Sequence, residues 1–185
     1  TNSDVLTIEK IQELNCRINQ FDVDIICVSE VKPKNFSRNL SLVEYKINGF
    51  ALESVNILEN SGRGMILYIK NHITYELIDM TFGTNLPQEM ITFKIKLESN
   101  NEIVVCCVYR SPNSSTDNSE NMNLYLKSLS DKHPSNFIVM GDFNYPKIDW
   151  KHYSTTTSIN DIHYNFLETV RDCFFQQFVQ YPTRS

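Results

Sequence analysis

Two runs decide the fold class: Met90-Ile-Thr-Phe-Lys-Ile-Lys-Leu97 and, after Ser99-Asn100-Asn101, Ile103-Val-Val-Cys-Cys-Val-Tyr109. The first alternates apolar and polar residues, the period of a strand with one buried face. The second is almost wholly apolar, as in a buried strand. The polar residues between them make a turn, so the two runs form a hairpin. A hairpin requires antiparallel pairing, which rules out a purely parallel sheet.

Working outward, Ile11, Leu14, Ile18 and Phe21 recur at helical spacing and predict an amphipathic helix after Leu6. Asp24 to Ser29 and Gly64 to Lys70 read as buried strands. Pro112 to Glu120 is rich in Asn and Ser and reads as an exposed loop. Leu124, Leu126 and Leu129 fall in a helix. Phe137 to Met140 is a buried strand that ends in Gly141-Asp142-Phe143-Asn144. Phe166, Leu167, Val170 and Cys173 mark a last helix, and Phe174 to Val179 a last strand. The expected class is layered α/β with mixed sheets.

With 185 residues the chain has enough length for one domain and a substantial core. It is 41% hydrophobic and 21% charged, the balance of an ordinary globular protein. No apolar stretch approaches the ~18 residues of a membrane helix. No charged-then-apolar leader opens the chain, so an intracellular site, nuclear or cytoplasmic, is expected. The five cysteines are odd in number and lack paired short spacings, which argues against disulfides and zinc. Cys27, Cys106 and Cys107 sit in apolar runs, where Cys acts as a small buried hydrophobe. The net charge of −5 counts against broad binding to nucleic acid through a basic face. It is compatible with a phosphate-cleaving site, where carboxylates gather a metal and the metal supplies the positive charge.

Four polar clusters fall where apolar runs end: Asn2-Ser3-Asp4, Ser29-Glu30-Val31-Lys32, Tyr109-Arg110-Ser111-Pro112 and Gly141-Asp142-Phe143-Asn144. Open α/β proteins place their sites at such ends. Glu30 alone reads either as an exposed strand-end acid or as a ligand for Mg²⁺, which needs few carboxylates because it keeps several waters. Asp142 and Asn144 read either as an Asx turn or as two side chains aimed into one cleft.

The run from Gly141 through Tyr145, Pro146, Ile148 and Asp149 to Trp150 is more specific. It resembles a segment of the endonucleases of non-long-terminal-repeat retrotransposons, within the endonuclease/exonuclease/phosphatase family. Tyr109-Arg110-Ser111-Pro112 resembles that family's Tyr-Arg-Pro-Pro segment, and Ser29-Glu30-Val31-Lys32 its Glu-bearing strand end. Gly62-Arg63-Gly64, Asn2-Ser3-Asp4-Val5-Leu6 and Pro182-Thr183-Arg184 match three further segments, in order along the chain.

The resemblance implies a four-layer sandwich, two mixed β-sheets face to face with helices outside, in a single domain over 1–185. It implies hydrolysis of a phosphodiester in DNA with Mg²⁺, or Mn²⁺ in its place. Glu30 would hold the metal, with Asn2 beside it and Asp4 a further candidate ligand. Asp142 would position or activate the attacking water, Asn144 would donate to a non-bridging phosphate oxygen, and Tyr109 would hydrogen-bond the phosphate. Lys32, Arg63 and Arg110 would meet the nucleic-acid backbone. A reverse transcriptase encoded downstream would be the partner. The family pattern also has a strand before Asn2, and a late Asp-bearing strand and a Ser-Asp-His segment after Arg184. Their absence here predicts impaired catalysis, and His72, His133, His152 and His163 occupy no matching context. The competing functions are a phosphatase of the same fold and a non-catalytic transposon remnant.

Overall fold

A computed structural model describes residues 8–32, 41–57, 62–79, 89–97 and 101–179. Asn2, Asp4, the Pro182-Thr183-Arg184 segment and Ser99-Asn100 lie outside the described residues.

Helix α1 (Ile8–Phe21) leads into strand β1 (Ile25–Ser29), a short 3-10 turn (Leu42–Tyr45), β2 (Phe50–Val55), β3 (Met65–Lys70) and β4 (Tyr75–Leu77). Next come β5 (Met90–Lys96), β6 (Glu102–Tyr109), α2 (Thr116–Lys132), β7 (Phe137–Asp142), β8 (Ile148–Asp149), β9 (Ser154–Thr155) and α3 (Ile162–Asp172). The fold is a mixed α+β arrangement of several sheets and three helices. One sheet has the order β1-β3-β2, a second β4-β5-β6-β7, and β8-β9 form a small ribbon. The hairpin read from sequence is there: β5 and β6 pair antiparallel from Met90↔Val108 to Lys96↔Glu102.

The chain forms two compact units. One comprises Thr1–Asp79, Gln88–Tyr109 and Ile138–Asp142; the other comprises Met80–Pro87, Arg110–Phe137 and Phe143–Ser185. The first unit holds both large sheets. Strand β3 is the reason they stack. Its residues Met65, Leu67 and Ile69 face Ile91, Phe93, Val105 and Cys107 of the second sheet. Its alternate residues Ile66 and Tyr68 pack on Ile11 and Ile18 of α1. A strand apolar on both faces must be covered on both, which explains its unbroken Met-Ile-Leu-Tyr-Ile run. Cys106 and Cys107 are fully buried, as the sequence implied, Cys27 is half-buried, and all five cysteines are free. Burial pushes the Cys106 thiol up to about 12, so it is an inert hydrophobe.

In the second unit α2 packs against α3, and Lys127 pairs with Asp172 at 2.7 Å across them. Three expectations are corrected here. Helix α2 begins at Thr116, inside the expected loop, because Ser115 Oγ accepts from the Asn118 backbone N–H at 3.1 Å and caps it. Phe174 to Val179 is irregular rather than a strand; no ladder partner takes it among the described residues, and its Gln177 N–H is taken by the Tyr153 hydroxyl. Strand β7 is not buried: it ends the order of its sheet, and Ile138 and Met140 are exposed.

Candidate active site

Glu30 follows β1 at the point where pairing with β3 shifts by one residue. Ser29 faces Met65, but the next backbone bonds run from Val31 N to Gly64 O and from Lys32 N to Arg63 O. Glu30 is therefore the extra residue of a bulge, with φ +58°. Left-handed backbone at a non-glycine residue costs of order 1–3 kcal/mol and persists only where neighbours hold it. Bulges re-aim a side chain, and this one turns the Glu30 carboxylate toward the second sheet. There the Tyr109 hydroxyl donates to Glu30 Oε1 at 2.6 Å, and Arg63 Nη1 stands 3.8 Å from the same oxygen. Two residues 79 positions apart thus meet at the ends of β1 and β6.

Glu89 is a residue that sequence reading missed. It is 5% exposed. Its Oε1 accepts from the backbone N–H groups of Arg63 and Gly64, each at 2.6 Å. Its own carbonyl accepts from Tyr109 N at 2.9 Å. One acid therefore ties down the turn that carries Arg63 and the strand that carries Tyr109, the two partners of Glu30. Desolvation pushes the Glu89 carboxyl up, opposed by the two backbone bonds and by the charges of Lys32 and Arg63. The closeness explains Gly62, where a Cβ would sit 2.6 Å from Glu89 Oε1. No local pattern announces Glu89, because its partners lie 25 and 26 residues away.

Lys32 is 3% exposed, and its carbonyl accepts from Arg63 Nε at 2.9 Å. Lys32 and Arg63 thus face the acids Glu89 and Glu30 as internal counter-charges. Asp142 ends β7, which neighbours β6. A Cβ on Gly141 would run into the Val108 carbonyl, so only glycine lets the two backbones touch there. That contact sets the last residues of both strands, Tyr109 and Asp142, at the same end of the sheet.

The second unit holds Asn144 (φ +51°) and Arg110. Asn144 Nδ2 donates to the Arg110 carbonyl at 2.8 Å, and Arg110 Nη1 donates to the Asn144 carbonyl at 3.2 Å. Arg110, expected on a nucleic-acid backbone, is 1% exposed. The rest of the Gly141–Trp150 run packs. Tyr145 stacks on Phe166 at 4.3 Å between ring centres, and Trp150 meets Phe166 edge-on. Asp149 Oδ1 accepts from the backbone N–H groups of Lys151 and His152 and closes a turn.

The sequence profile of the endonuclease/exonuclease/phosphatase family matches residues 12–184 of this chain. The chain belongs to that family. Members of the endonuclease/exonuclease/phosphatase family are hydrolases that act with a divalent metal. A conserved protein of unknown function from Enterococcus faecalis V583 is similar in structure at 16% identity and a TM-score of 0.48. The match covers 86% of this chain and 63% of that one, so this chain spans less than two-thirds of its length. No curated protein matches.

The family's metal fits what is present. Both contacts to Glu30 fall on Oε1, its side chain is 28% exposed, and carboxylate oxygen is the donor that Mg²⁺ and Mn²⁺ prefer. Among the described residues no three His, Cys, Asp or Glu side chains cluster. No helix among the described residues is long and apolar enough to cross a membrane.

Proposed function

We propose that this chain is a divalent-metal-dependent phosphodiesterase acting on DNA, the endonuclease part of a retrotransposon-type polyprotein whose reverse transcriptase follows it. The observation that carries the reading is the Glu30 carboxylate, held in a bulge by the Tyr109 hydroxyl at 2.6 Å. The retrotransposon setting rests on Tyr109-Arg110-Ser111-Pro112 and on the full Gly141–Trp150 run, which fold alone does not require.

Glu30 would hold Mg²⁺ or Mn²⁺, with Asn2 and Asp4 as further ligand candidates. The bound ion would supply Lewis-acid stabilisation of the charge developing on the phosphate. Tyr109 keeps the Glu30 carboxylate in its direction, a role its hydroxyl fills in place of meeting the phosphate. Asp142 orients the attacking water and takes its proton. Asn144 donates its free amide proton to a non-bridging oxygen as charge builds there. Arg63 lies beside Glu30, offsets its charge until a metal binds and is the candidate contact to a phosphate backbone, while Lys32, 3% exposed, acts as an internal counter-charge.

The test is Mn²⁺ titration by calorimetry together with nicking of supercoiled plasmid in Mg²⁺ or Mn²⁺. Wild type should bind Mn²⁺, and Glu30→Ala should abolish that binding together with whatever nicking wild type shows. Wild type that binds no Mn²⁺ and cuts no DNA would overturn the reading. Hydrolysis of a phosphomonoester with plasmid left intact would move the chain to the phosphatases.

A further inference from the structure

Arg110 stands beside a motif residue, carries a charge, and is buried. Its guanidinium meets no carboxylate within ion-pair distance among the described residues. Its Nε donates to Ser119 Oγ at 3.0 Å, and Ser119 Oγ passes a bond to the Ser115 carbonyl at 3.0 Å, in the first turn of α2. Its Nη1 reaches the carbonyls of Asn144 at 3.2 Å and Phe143 at 3.5 Å. Its Cζ lies over the Tyr145 ring, 4.3 Å from the ring centre. A charge taken out of water needs hydrogen-bonding partners; here neutral oxygens take Nε and Nη1 and the Tyr145 ring lies against the guanidinium, while Nη2 has no hydrogen-bond partner among the described residues.

The geometry points to Arg110 as a positioning residue for Asn144 rather than a nucleic-acid contact, an inference that rests on Asn144 being the phosphate donor proposed above. Two successive carbonyls, Phe143 and Asn144, turn toward one guanidinium, which orients the peptide planes on both sides of the Asn144 Cα. The left-handed φ of Asn144 follows from that, and asparagine tolerates it better than most residues. The Arg110 carbonyl then takes one of the two Nδ2 protons at 2.8 Å. With the backbone and one amide proton both held, the second proton has one direction available. A lysine cannot substitute, because a single ammonium cannot reach Ser119 and both carbonyls in one plane while stacking on Tyr145. A DNA contact needs the opposite, an exposed cation free to displace counterions.

The experiment uses ¹⁵N spectra of the full chain with Arg110→Met, Arg110→Lys and Asn144→Ala. It adds the salt dependence of affinity for a duplex oligonucleotide and kcat at saturating DNA. In wild type the two Asn144 Nδ2 protons should be strongly inequivalent, and both Arg110 variants should collapse them toward the free-amide position. The slope of log affinity against log salt should be unchanged in Arg110→Met. Its kcat should fall as in Asn144→Ala, by ~10²–10³-fold for a lost oxyanion donor, and the double variant should be no worse. Asn144 signals that stay in place while the salt slope drops by about 0.9 would overturn the inference and make Arg110 a phosphate contact. If Arg110→Met does not fold, Ser119→Ala removes the Nε acceptor, with its bond to the Ser115 carbonyl, and keeps the guanidinium. It should move the same Asn144 signals, and unmoved signals overturn the inference. A wild-type chain that cuts no DNA defeats the proposed function, while the amide signals still decide whether Arg110 holds Asn144.

Discussion

Glu30 in the first unit and Arg110 in the second are both charged residues just past a strand end, and their surroundings are opposite. Glu30 is part exposed, and cations stand near it: Arg63 at 3.8 Å, and Lys32 two residues on, beside the second acid Glu89. Arg110 is buried, and its partners are neutral. The first arrangement is electrostatic. Its charges balance locally, so an added cation at Glu30 displaces the hold of Arg63 without leaving an unpaired buried ion. The second is geometric. Its one cation is spent on carbonyls that shape the backbone at Asn144. Removing a group from the first region should therefore change metal affinity, and removing one from the second should change how a phosphate is held.

The largest expected effect lies at the strand end beside Tyr109. Asp142→Asn should lower kcat by ~10²–10⁴-fold, the usual worth of one positioned proton acceptor, with Mn²⁺ affinity nearly unchanged by calorimetry. A parallel fall in Mn²⁺ affinity would make Asp142 a ligand and extend the electrostatic region to β7. A smaller effect separates the regions directly. Tyr109→Phe removes the hydroxyl that orients Glu30 and should weaken Mn²⁺ binding ~10–100-fold, as loss of outer-sphere partners does. Ser119→Ala, which removes the comparable relay from Arg110, should leave Mn²⁺ affinity where it was. Equal losses in the two variants would erase the distinction.

The smallest effect concerns Glu89. Its carboxyl is pushed up by burial, so the folded state favours the protonated form. The stability it contributes is present below the ordinary carboxylate value of about 4.3 and is lost as pH rises through the raised folded value. Glu89→Gln titrates at neither value. The Tm of wild type minus that of Glu89→Gln should therefore decline as pH is raised from about 4 toward neutrality. A difference that grows with pH would mean that Lys32 and Arg63 outweigh desolvation.

Much of the first unit was legible. The α1 pattern of Ile11, Leu14 and Ile18 and the apolar runs of β1, β3, β5 and β6 are local signals, and the elements lie where they predict. Strand β2 was missed, since Phe-Ala-Leu-Glu-Ser-Val has no clean alternation and all six residues are half-buried. Glu30, Tyr109 and Asp142 were singled out from their positions at strand ends, and the structure brings Glu30 and Tyr109 together. The Gly141–Trp150 run was recognised as a whole, although past Asn144 its specificity comes from packing: Tyr145 and Trp150 serve Phe166, and Asp149 serves a turn.

What the sequence alone determined is most of the first unit's elements, the family and the acids at strand ends, because periodicity and motif spacing are properties of neighbouring residues. Tertiary structure alone decided that Tyr109 points at Glu30, that Glu89 anchors the turn carrying Arg63, and that Arg110 turns inward to Asn144. Each of these depends on partners 26 to 79 residues away. A charged side chain next to a motif looks the same in sequence whether it faces water or carbonyls. Burial decides which, and burial is settled only when the strands and helices have packed.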